Sequence, residues 1–165
     1  MLPLKILNSG KTVLEVKMQL NQKESMLLED MKSQEKLCIE KYAKSAAAAK
    51  DSGLSQIFTR LGEIEQGHLT QLNEIGSGRV PTSSGSVQLP AVNVFYTSES
   101  PDKQQDKFLC SDLLATEKHA SSLYDTCVFE FRDKPVRDVL NRIQREEQDH
   151  GKVIYDYMTA NGMYT

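Results

Sequence analysis

The spacing Glu-x-x-His occurs twice in this chain, at Glu65-x-x-His68 and at Glu147-x-x-His150, and the two copies are 82 residues apart. The same gap-free shift places Glu117 on Glu35, so each half contains a single Glu followed 30 residues later by Glu-x-x-His. We interpret the chain as an internal repeat of two helical hairpins. Other identities in this register are Leu27 with Leu109, Asp30 with Asp112, Lys36 with Lys118, Tyr42 with Tyr124, Asp51 with Asp133 and Arg60 with Arg142.

Composition limits the class of protein. With 165 residues, 39% of them hydrophobic, and a formal net charge of -3, the chain is expected to form one soluble domain with a full core. A pI near 5.7 provides no basic surface for nucleic acid, and no apolar run reaches the roughly 20 residues of a membrane span. The N-terminus lacks a signal-peptide pattern, and three cysteines without metal-type spacing indicate a reducing interior.

Capping and breaking residues delimit four helices. Asn21-x-x-Glu24 is a capping-box pattern, and Ser100-Pro101 supplies a cap followed by proline at the first helical position. Glycine-containing stretches after residues 50, 75 and 160 terminate helices. The predicted helices cover about residues 21–50, 54–75, 101–132 and 135–160, and together they form a bundle over residues 21–162.

Two segments have no helical period. Residues 1–20 form either a β-hairpin turning at Asn8-Ser-Gly10 or an extension of the first helix, because apolar and polar residues alternate there. The connection between the second and third helices is about 25 residues long, which a bundle needs when those two helices run parallel. Its apolar residues predict that it packs on the bundle: Val87, Leu89, Val92, Val94 and Phe95.

The candidate ligands lie on the apolar seam of each helix. Around Glu65 and His68, the second helix presents Leu54, Phe58, Leu61, Leu72 and Ile75 at spacings of three and four, and the fourth helix repeats this pattern around Glu147 and His150. Glu35 and Glu117 occupy the corresponding seams of the first and third helices. Six ionisable residues are therefore predicted to point into the core: Glu35, Glu65, His68, Glu117, Glu147 and His150.

Four buried carboxylates require compensating charge, since each uncompensated buried ion costs several kcal/mol. Two divalent cations would balance four glutamates, and two neutral imidazoles would complete the ligand set. Glutamate from two helices with Glu-x-x-His from the other two is the di-metal carboxylate arrangement, and this mixture of ligands suits iron or manganese. The alternative is a core without metal, in which the carboxylates are protonated or pair with Arg60 and Arg142.

Several neighbouring residues have two interpretations. Tyr42 and Tyr124 either pack in the core, which we favour, or are redox-active or form hydrogen bonds with a carboxylate. Asp30 and Asp112 either orient the imidazoles or are plain exposed helix acids. His119 is predicted to be a surface residue because it lies off the seam.

The thiol of Cys38 lies on the Glu35 stripe, one turn away. A free thiol beside an oxidising di-iron centre is exposed to sulfenic acid formation. Its presence there argues against vigorous oxidase turnover.

The six ligand positions resemble the pattern of the ferritin-like superfamily, over residues 21–162. The second half also resembles the Coat F type of spore coat proteins, which are ferritin-like in fold and occur in endospore-forming bacteria. The stretches that carry this resemblance are Asp112-Leu-Leu-Ala-Thr-Glu-Lys118, Pro135-Val-Arg137, Asp156-Tyr-Met158 and Asn161-Gly-Met-Tyr164. The resemblance implies an all-α, ferritin-like four-helix bundle with a long crossover between its second and third helices.

The function expected from this resemblance is a structural or protective role in the spore coat, with two divalent ions, iron or manganese, in the core. The alternative is a di-iron or di-manganese oxidoreductase that consumes peroxide or oxygen. We expect a homodimer, formed through residues 1–20 and the crossover, and contacts with other spore coat proteins. The expected location is the mother-cell cytoplasm or the spore coat, without secretion, membrane association or nucleic-acid binding.

Overall fold

The computed structural model describes residues 5–6, 12–13, 17–82 and 85–164, and its main elements are four long helices. They are α1 (Gln22–Ala48), α2 (Ser52–Gly76), α3 (Pro101–Val128) and α4 (Lys134–Ala160). The helix α1 packs chiefly on α2, and α3 chiefly on α4, while α1 contacts α3 and α2 contacts α4 across the bundle. The predicted four-helix bundle of two paired hairpins is confirmed.

The helix ends follow the predicted capping chemistry. The side chain of Asn21 accepts a hydrogen bond from the backbone of Glu24, whose carboxylate binds the backbone of Asn21 in return. At the start of α3, the Ser100 side chain accepts from the backbone of Lys103, with Pro101 in the first turn. These bonds satisfy backbone N–H groups that a helix leaves without an internal partner.

The third helix ends at Val128 and not near Arg132 as expected. The backbone N–H of Arg132 donates to Oε1 of Glu24 at 2.8 Å, so this amide is bound by α1 and not by a carbonyl of α3. A guanidinium nitrogen of Arg137 donates to the carbonyl of Phe131, which holds the turn into α4. Contacts with other helices therefore shorten a helix that the local sequence would continue.

Buried carboxylates hold the two hairpin turns. Glu24 accepts from the backbone of Arg132 at the turn between α3 and α4. At the other end of the bundle, Asp106 of α3 accepts from the backbone N–H groups of Lys50 and Asp51 at 2.8 and 2.9 Å. In each case a carboxylate near the start of one hairpin's first helix accepts hydrogen bonds from backbone N–H groups in the turn of the other hairpin. These bonds connect the two hairpins.

The crossover between α2 and α3 packs on the bundle only in part as predicted. Val87, Leu89 and Val92 are half-buried against the core, whereas Val94 and Phe95 are 64% and 54% exposed. The backbone beside them is held by the C-cap of α4, because the side-chain oxygen of Asn161 accepts from the N–H groups of Phe95 and Tyr96 at 2.8 and 2.9 Å. Residues 83 and 84 of the crossover lie outside the described part of the chain.

Before α1, the strand β1 (Lys5–Ile6) pairs antiparallel with β2 (Thr12–Val13). The predicted turn at Asn8-Ser-Gly10 lies outside the described residues, as do Leu14 and Val16 of the alternating stretch. The described residues contain no helix long and apolar enough to cross a membrane.

The core contains two apolar clusters, one at each end of the bundle. One cluster includes Tyr42, Phe58 and Ile154, and the other includes Met31, Leu72 and Tyr124. Along every helix, the candidate ligands fall between a residue of one cluster and a residue of the other. The apolar clusters thus seal a polar layer in the middle of the bundle from both ends.

Candidate metal centre

The structure brings all six candidate ligands together in this polar layer. Their side chains come from all four helices, and none is more than 2% exposed. This convergence follows from the helical period, because positions three and four apart share one face and the four seams meet at the bundle axis. The residues are Glu35 on α1, Glu65 and His68 on α2, Glu117 on α3, and Glu147 and His150 on α4.

The six residues form two overlapping groups whose ligand atoms lie within 4.8 Å of one another. One group contains Glu35 and His68, and the other contains Glu117 and His150. Glu65 and Glu147 belong to both groups. The arrangement is that of two adjacent ion sites with two shared carboxylates and one further Glu–His pair on each side.

The two shared carboxylates each offer one oxygen to each imidazole. Nδ1 of His68 lies 3.1 Å from Oε2 of Glu65 and 2.9 Å from Oε1 of Glu147. Nδ1 of His150 lies 3.1 Å from Oε1 of Glu65 and 3.8 Å from Oε2 of Glu147. Of the two His68 contacts, only the one to Glu65 has hydrogen-bond geometry. Both Nδ1 atoms therefore face the space between the shared carboxylates.

The imidazole rings of His68 and His150 stack, with centroids 5.6 Å apart and planes inclined by 13°. The near-parallel planes are consistent with the equivalent positions of the two histidines in the 82-residue register.

Two buried tyrosines hold the outer carboxylates. The hydroxyl of Tyr42 on α1 donates to Oε1 of Glu117 on α3, and the hydroxyl of Tyr124 on α3 donates to Oε1 of Glu35 on α1. The tyrosines pack in the core, as we favoured, and their hydroxyls also bind carboxylates, so the two interpretations hold together. A buried donor without a partner costs about 1–3 kcal/mol, and among the described residues each hydroxyl finds its partner in a carboxylate of the opposite hairpin.

Burial and mutual contact redistribute protons within the cluster. Burial acts to raise the pKa of Glu65, but hydrogen bonds from His150 and His68 outweigh it and hold that pKa well below its usual range. Burial and the neighbouring Glu65 charge raise the pKa of Glu35 and of Glu147 well above the usual range. Of these three carboxylates, Glu65 is therefore the one whose charged form the imidazoles stabilise when no ion is bound.

The pKa values of both histidines are raised, whereas burial alone lowers the pKa of an imidazole. Burial alone lowers the pKa of His150, but hydrogen bonds to Glu117 and Glu65 raise it to about 9. The pKa of His68 is likewise raised well above its usual range, because contacts with Glu146, Glu147 and Glu65 outweigh burial. In the absence of metal, imidazolium charge therefore compensates part of the carboxylate charge.

The donor set fits divalent ions on a direct structural test. Among the described residues, four buried carboxylate oxygens have no hydrogen-bond partner: Glu35 Oε2, Glu117 Oε2 and both oxygens of Glu147. Buried polar atoms in native proteins are normally paired. The described residues supply no hydrogen-bond partner for these four oxygens, and a bound ion would supply one. Carboxylate oxygens and imidazole nitrogens are ligands that iron and manganese accept.

Arg60 and Arg142 do not pair with the cluster carboxylates. Arg60 pairs with Glu63 at 2.9 Å on the surface, and Arg142 donates to Gln71 and lies 3.7 Å from Glu146. Within the described part of the chain, the four cluster carboxylates form ion pairs with histidines alone. The alternative of a cluster neutralised by Arg60 and Arg142 is wrong.

One contact of the cluster was missed from the sequence. Nε2 of His68 lies 2.7 Å from Oε2 of Glu146, a half-buried carboxylate on α4. Of the two acids considered for orienting the imidazoles, Asp112 pairs with Lys41 at 2.9 Å and Asp30 is exposed. His119 is exposed, as predicted. The only sequence signal for Glu146 was a second acid beside Glu147, which by itself is typical of a solvated helix face.

The fold and the site together define a four-helix bundle with a buried carboxylate–histidine cluster. Residues 105–165 match the family model described as the Coat F domain. The resemblance predicted from the second half of the chain is confirmed, and the match supports a protein of the spore-coat type. No curated protein and no solved structure gives a significant match to the chain.

Proposed function

We propose that this chain is a spore-coat protein of ferritin-like architecture whose bundle core holds two divalent metal ions, and that its role in the coat is structural or protective. The Coat F match over residues 105–165 supports the coat assignment. The observation that carries the metal assignment is the sharing of Glu65 and Glu147 between two groups of ligands, with unpartnered carboxylate oxygens in both.

In this proposal, Glu35, Glu65, His68 and Glu147 hold one ion, and Glu65, Glu117, Glu147 and His150 hold the other. Bound ions supply Lewis acidity and, for iron or manganese, redox chemistry. The residues of the chain fix the geometry: the two tyrosine hydroxyls orient Glu35 and Glu117, and Glu146 orients His68.

The two hairpins are related by an internal repeat in this proposal, and their contacts support it. Contacts made by one hairpin recur 82 positions later in the other, with the roles of the hairpins exchanged. The matching pairs are Tyr42–Glu117 with Tyr124–Glu35, and Glu24–Arg132 with Asp106–Lys50.

A di-iron or di-manganese oxidoreductase remains the second candidate, because a cavity reaches the cluster at His150 from the bundle surface. The Cys38 thiol is compatible with such chemistry. Burial, reinforced by the surrounding glutamates, raises its pKa far above the usual range, and a protonated buried thiol resists oxidation. Protein loaded with iron(II) or manganese(II) that consumes no peroxide would dismiss this candidate.

Metal content tests the central proposal. Protein purified without chelator is expected to contain about two equivalents of iron or manganese per chain, and the Glu65→Gln variant, which lacks a shared ligand, far less. Elemental analysis by plasma mass spectrometry measures both. Absence of bound metal, together with no uptake on reconstitution with iron(II) or manganese(II), would overturn the metal assignment.

Glu146→Gln is expected to weaken the binding of one of the two ions by about tenfold or more, because residues that orient metal-bound histidines typically contribute 10–100-fold to affinity. The substitution keeps the shape of the side chain and removes its charge. Competition with a chromophoric chelator measures the affinities. Glu63→Gln, on the exposed face of α2, is the matched control and should leave both affinities unchanged, whereas equal effects of the two variants would assign Glu146 no positioning role.

The coat role is tested separately in an endospore-forming host. A tagged copy is expected to appear during sporulation and to be extracted with the coat fraction of purified spores. Equal amounts in vegetative cells, with none in spores, would contradict the coat assignment without bearing on the metal site.

A further inference from the structure

A cavity of about 430 Å³ lies between α3 and α4. Two buried carboxylates of the cluster, Glu117 and Glu147, line its inner end. The polar residues at its mouth are exposed or half-buried, and they are Lys118, Ser121, Ser122 and Gln148. The cavity therefore leads from the bundle surface to two of the four proposed ligands of one ion.

A glycine of α4, Gly151, forms part of the wall of this cavity. A Cβ added there would lie 3.5 Å from Cδ1 of Leu114 and 3.9 Å from Cβ of Glu117, both on α3. These are ordinary contact distances, so a side chain would fit and would fill the space in front of Glu117. Glycine weakens a helix relative to alanine, and the positive-φ glycines among the described residues are Gly78 and Gly162. The backbone therefore does not require glycine at position 151.

The first hairpin has a side chain at the corresponding position. In the 82-residue register, Gly151 corresponds to Leu69 of α2, and Glu117 corresponds to Glu35. The Leu69 side chain is only 9% exposed, so it fills space within the bundle. The two proposed ion sites thus have corresponding ligands but differ in the residue that stands between those ligands and the surface.

The cavity that reaches His150 beside the crossover is a poorer route for a cation. Its lining mixes two arginines with two acids and includes none of the four cluster carboxylates. The cavity at Gly151 ends instead on Glu117 and Glu147, three of whose carboxylate oxygens have no hydrogen-bond partner among the described residues. An ion that follows this second path reaches its ligand oxygens directly.

We propose that divalent ions enter and leave the bundle through the gap at Gly151, and that the ion at Glu117 therefore exchanges before the ion at Glu35. Leu69 closes the corresponding path in the first hairpin. This inference rests on the proposed metal centre and makes its two ions kinetically unequal. Gly151 controls access and is not itself a ligand.

Release of manganese(II) to an excess of chromophoric chelator, followed by stopped-flow absorbance, tests this route. Loaded native protein is expected to release one equivalent in a fast phase and one in a slower phase. Gly151→Leu places a side chain in the gap and should slow the fast phase by about tenfold or more, which corresponds to about 1.4 kcal/mol in the barrier. Uptake should slow by the same factor and the dissociation constant should stay unchanged, because a higher barrier on a path slows both directions equally.

Gly67→Leu is the matched control. Gly67 is exposed on α2, and an added Cβ there would have open space around it. The variant thus introduces the same side chain into a helix away from the gap, and its rates should equal the native ones. Gly151→Ala is a milder second variant, because its methyl group fits at contact distance. It should slow the fast phase by a smaller factor than leucine.

Leu69→Ala tests the closed path of the first hairpin, since it removes the side chain that corresponds to the gap. Alone, it should accelerate the slow phase. Added to Gly151→Leu, it should restore part of the lost rate. Circular dichroism of each loaded variant verifies that the protein compared is folded.

Three results would overturn the entry route and leave the metal centre intact. They are native rates in both Gly151→Leu and Gly151→Ala, a higher dissociation constant in both without slower uptake, and no gain in rate when Leu69→Ala is added to Gly151→Leu. Equal slowing by Gly67→Leu would also overturn it, because the loss of any helix glycine would then explain the effect. A native chain that takes up no manganese(II) would overturn the route together with the proposed metal centre.

Discussion

Metal-free protein is expected to lose thermal stability as the pH rises from about 6.5 to 9. The folded pKa of His150, about 9, exceeds its ordinary 6.5, so its contribution is complete below pH 6.5 and disappears as the pH passes 9. His68, Glu35 and Glu147 have raised pKa values and act in the same direction. The lowered pKa of Glu65 acts only in acid, where its contribution is lost as the pH falls.

Each group that releases its proton on this rise removes up to about 1.4 kcal/mol per pH unit. A chain of this length loses about 2–4 °C in melting temperature for each kcal/mol. Melting curves recorded with chelator between pH 6 and pH 9 measure the loss. A melting temperature that stays constant or rises across this interval would contradict the proton distribution inferred for the cluster.

Divalent metal is expected to reverse this loss and to do so most strongly at high pH. Binding requires neutral imidazoles and ionised carboxylates, so affinity increases as these groups release their protons. At 100 times its dissociation constant, one ion stabilises the folded state by about 2.7 kcal/mol. Iron(II), under anaerobic conditions, or manganese(II) should therefore flatten the pH dependence of the melting temperature. Identical curves with metal and with chelator at every pH would remove the support for a metal centre.

Glu65→Gln and Glu147→Gln are expected to have different effects on metal-free protein, although both remove a shared carboxylate. Glu65 contacts both imidazoles, at 3.1 Å from each Nδ1, and its pKa is lowered by both. Its loss removes the carboxylate that contacts both buried imidazoles, and breaking a buried pair costs about 3–5 kcal/mol. The melting temperature of Glu65→Gln should fall by roughly 10 °C at pH 7.

Glu147→Gln should leave the free energy of unfolding within about 1 kcal/mol of that of the native chain. Both oxygens of Glu147 lack a hydrogen-bond partner among the described residues, and replacing a buried group that is unfavourable when charged is close to neutral. Both variants should respond far less to metal than the native chain. Urea unfolding at pH 7 with chelator measures the difference, and equal losses in the two variants would show that the carboxylates are equivalent without metal.

The positions of the six cluster residues could be predicted from the sequence because helical periodicity is local. Glu65 and His68 share a face with the apolar residues around them, and the same holds for Glu147 and His150. The capping box at Asn21 and the proline at the start of α3 are likewise local signals, and both occur as predicted. The four-helix architecture follows from these features, since four amphipathic helices have few ways to bury their seams.

Tertiary structure alone decided the role of each residue in the cluster. The four glutamates have different roles. Glu65 and Glu147 belong to both groups of ligands, while Glu35 and Glu117 each accept a hydrogen bond from a tyrosine of the other hairpin. Such roles depend on side-chain directions and helix crossings between residues about 80 positions apart, which no local period encodes.

The difference between the two histidines has the same origin. Glu146 and Ile64 occupy corresponding positions beside His68 and His150, yet the sequence presents them as an ordinary exposed acid and an ordinary core residue. Packing of α2 on α4 brings a carboxylate to Nε2 of His68 and an apolar wall to the cavity beside His150. The sequence determined which residues enter the core, and the contacts between helices determined which of their atoms remain without a partner.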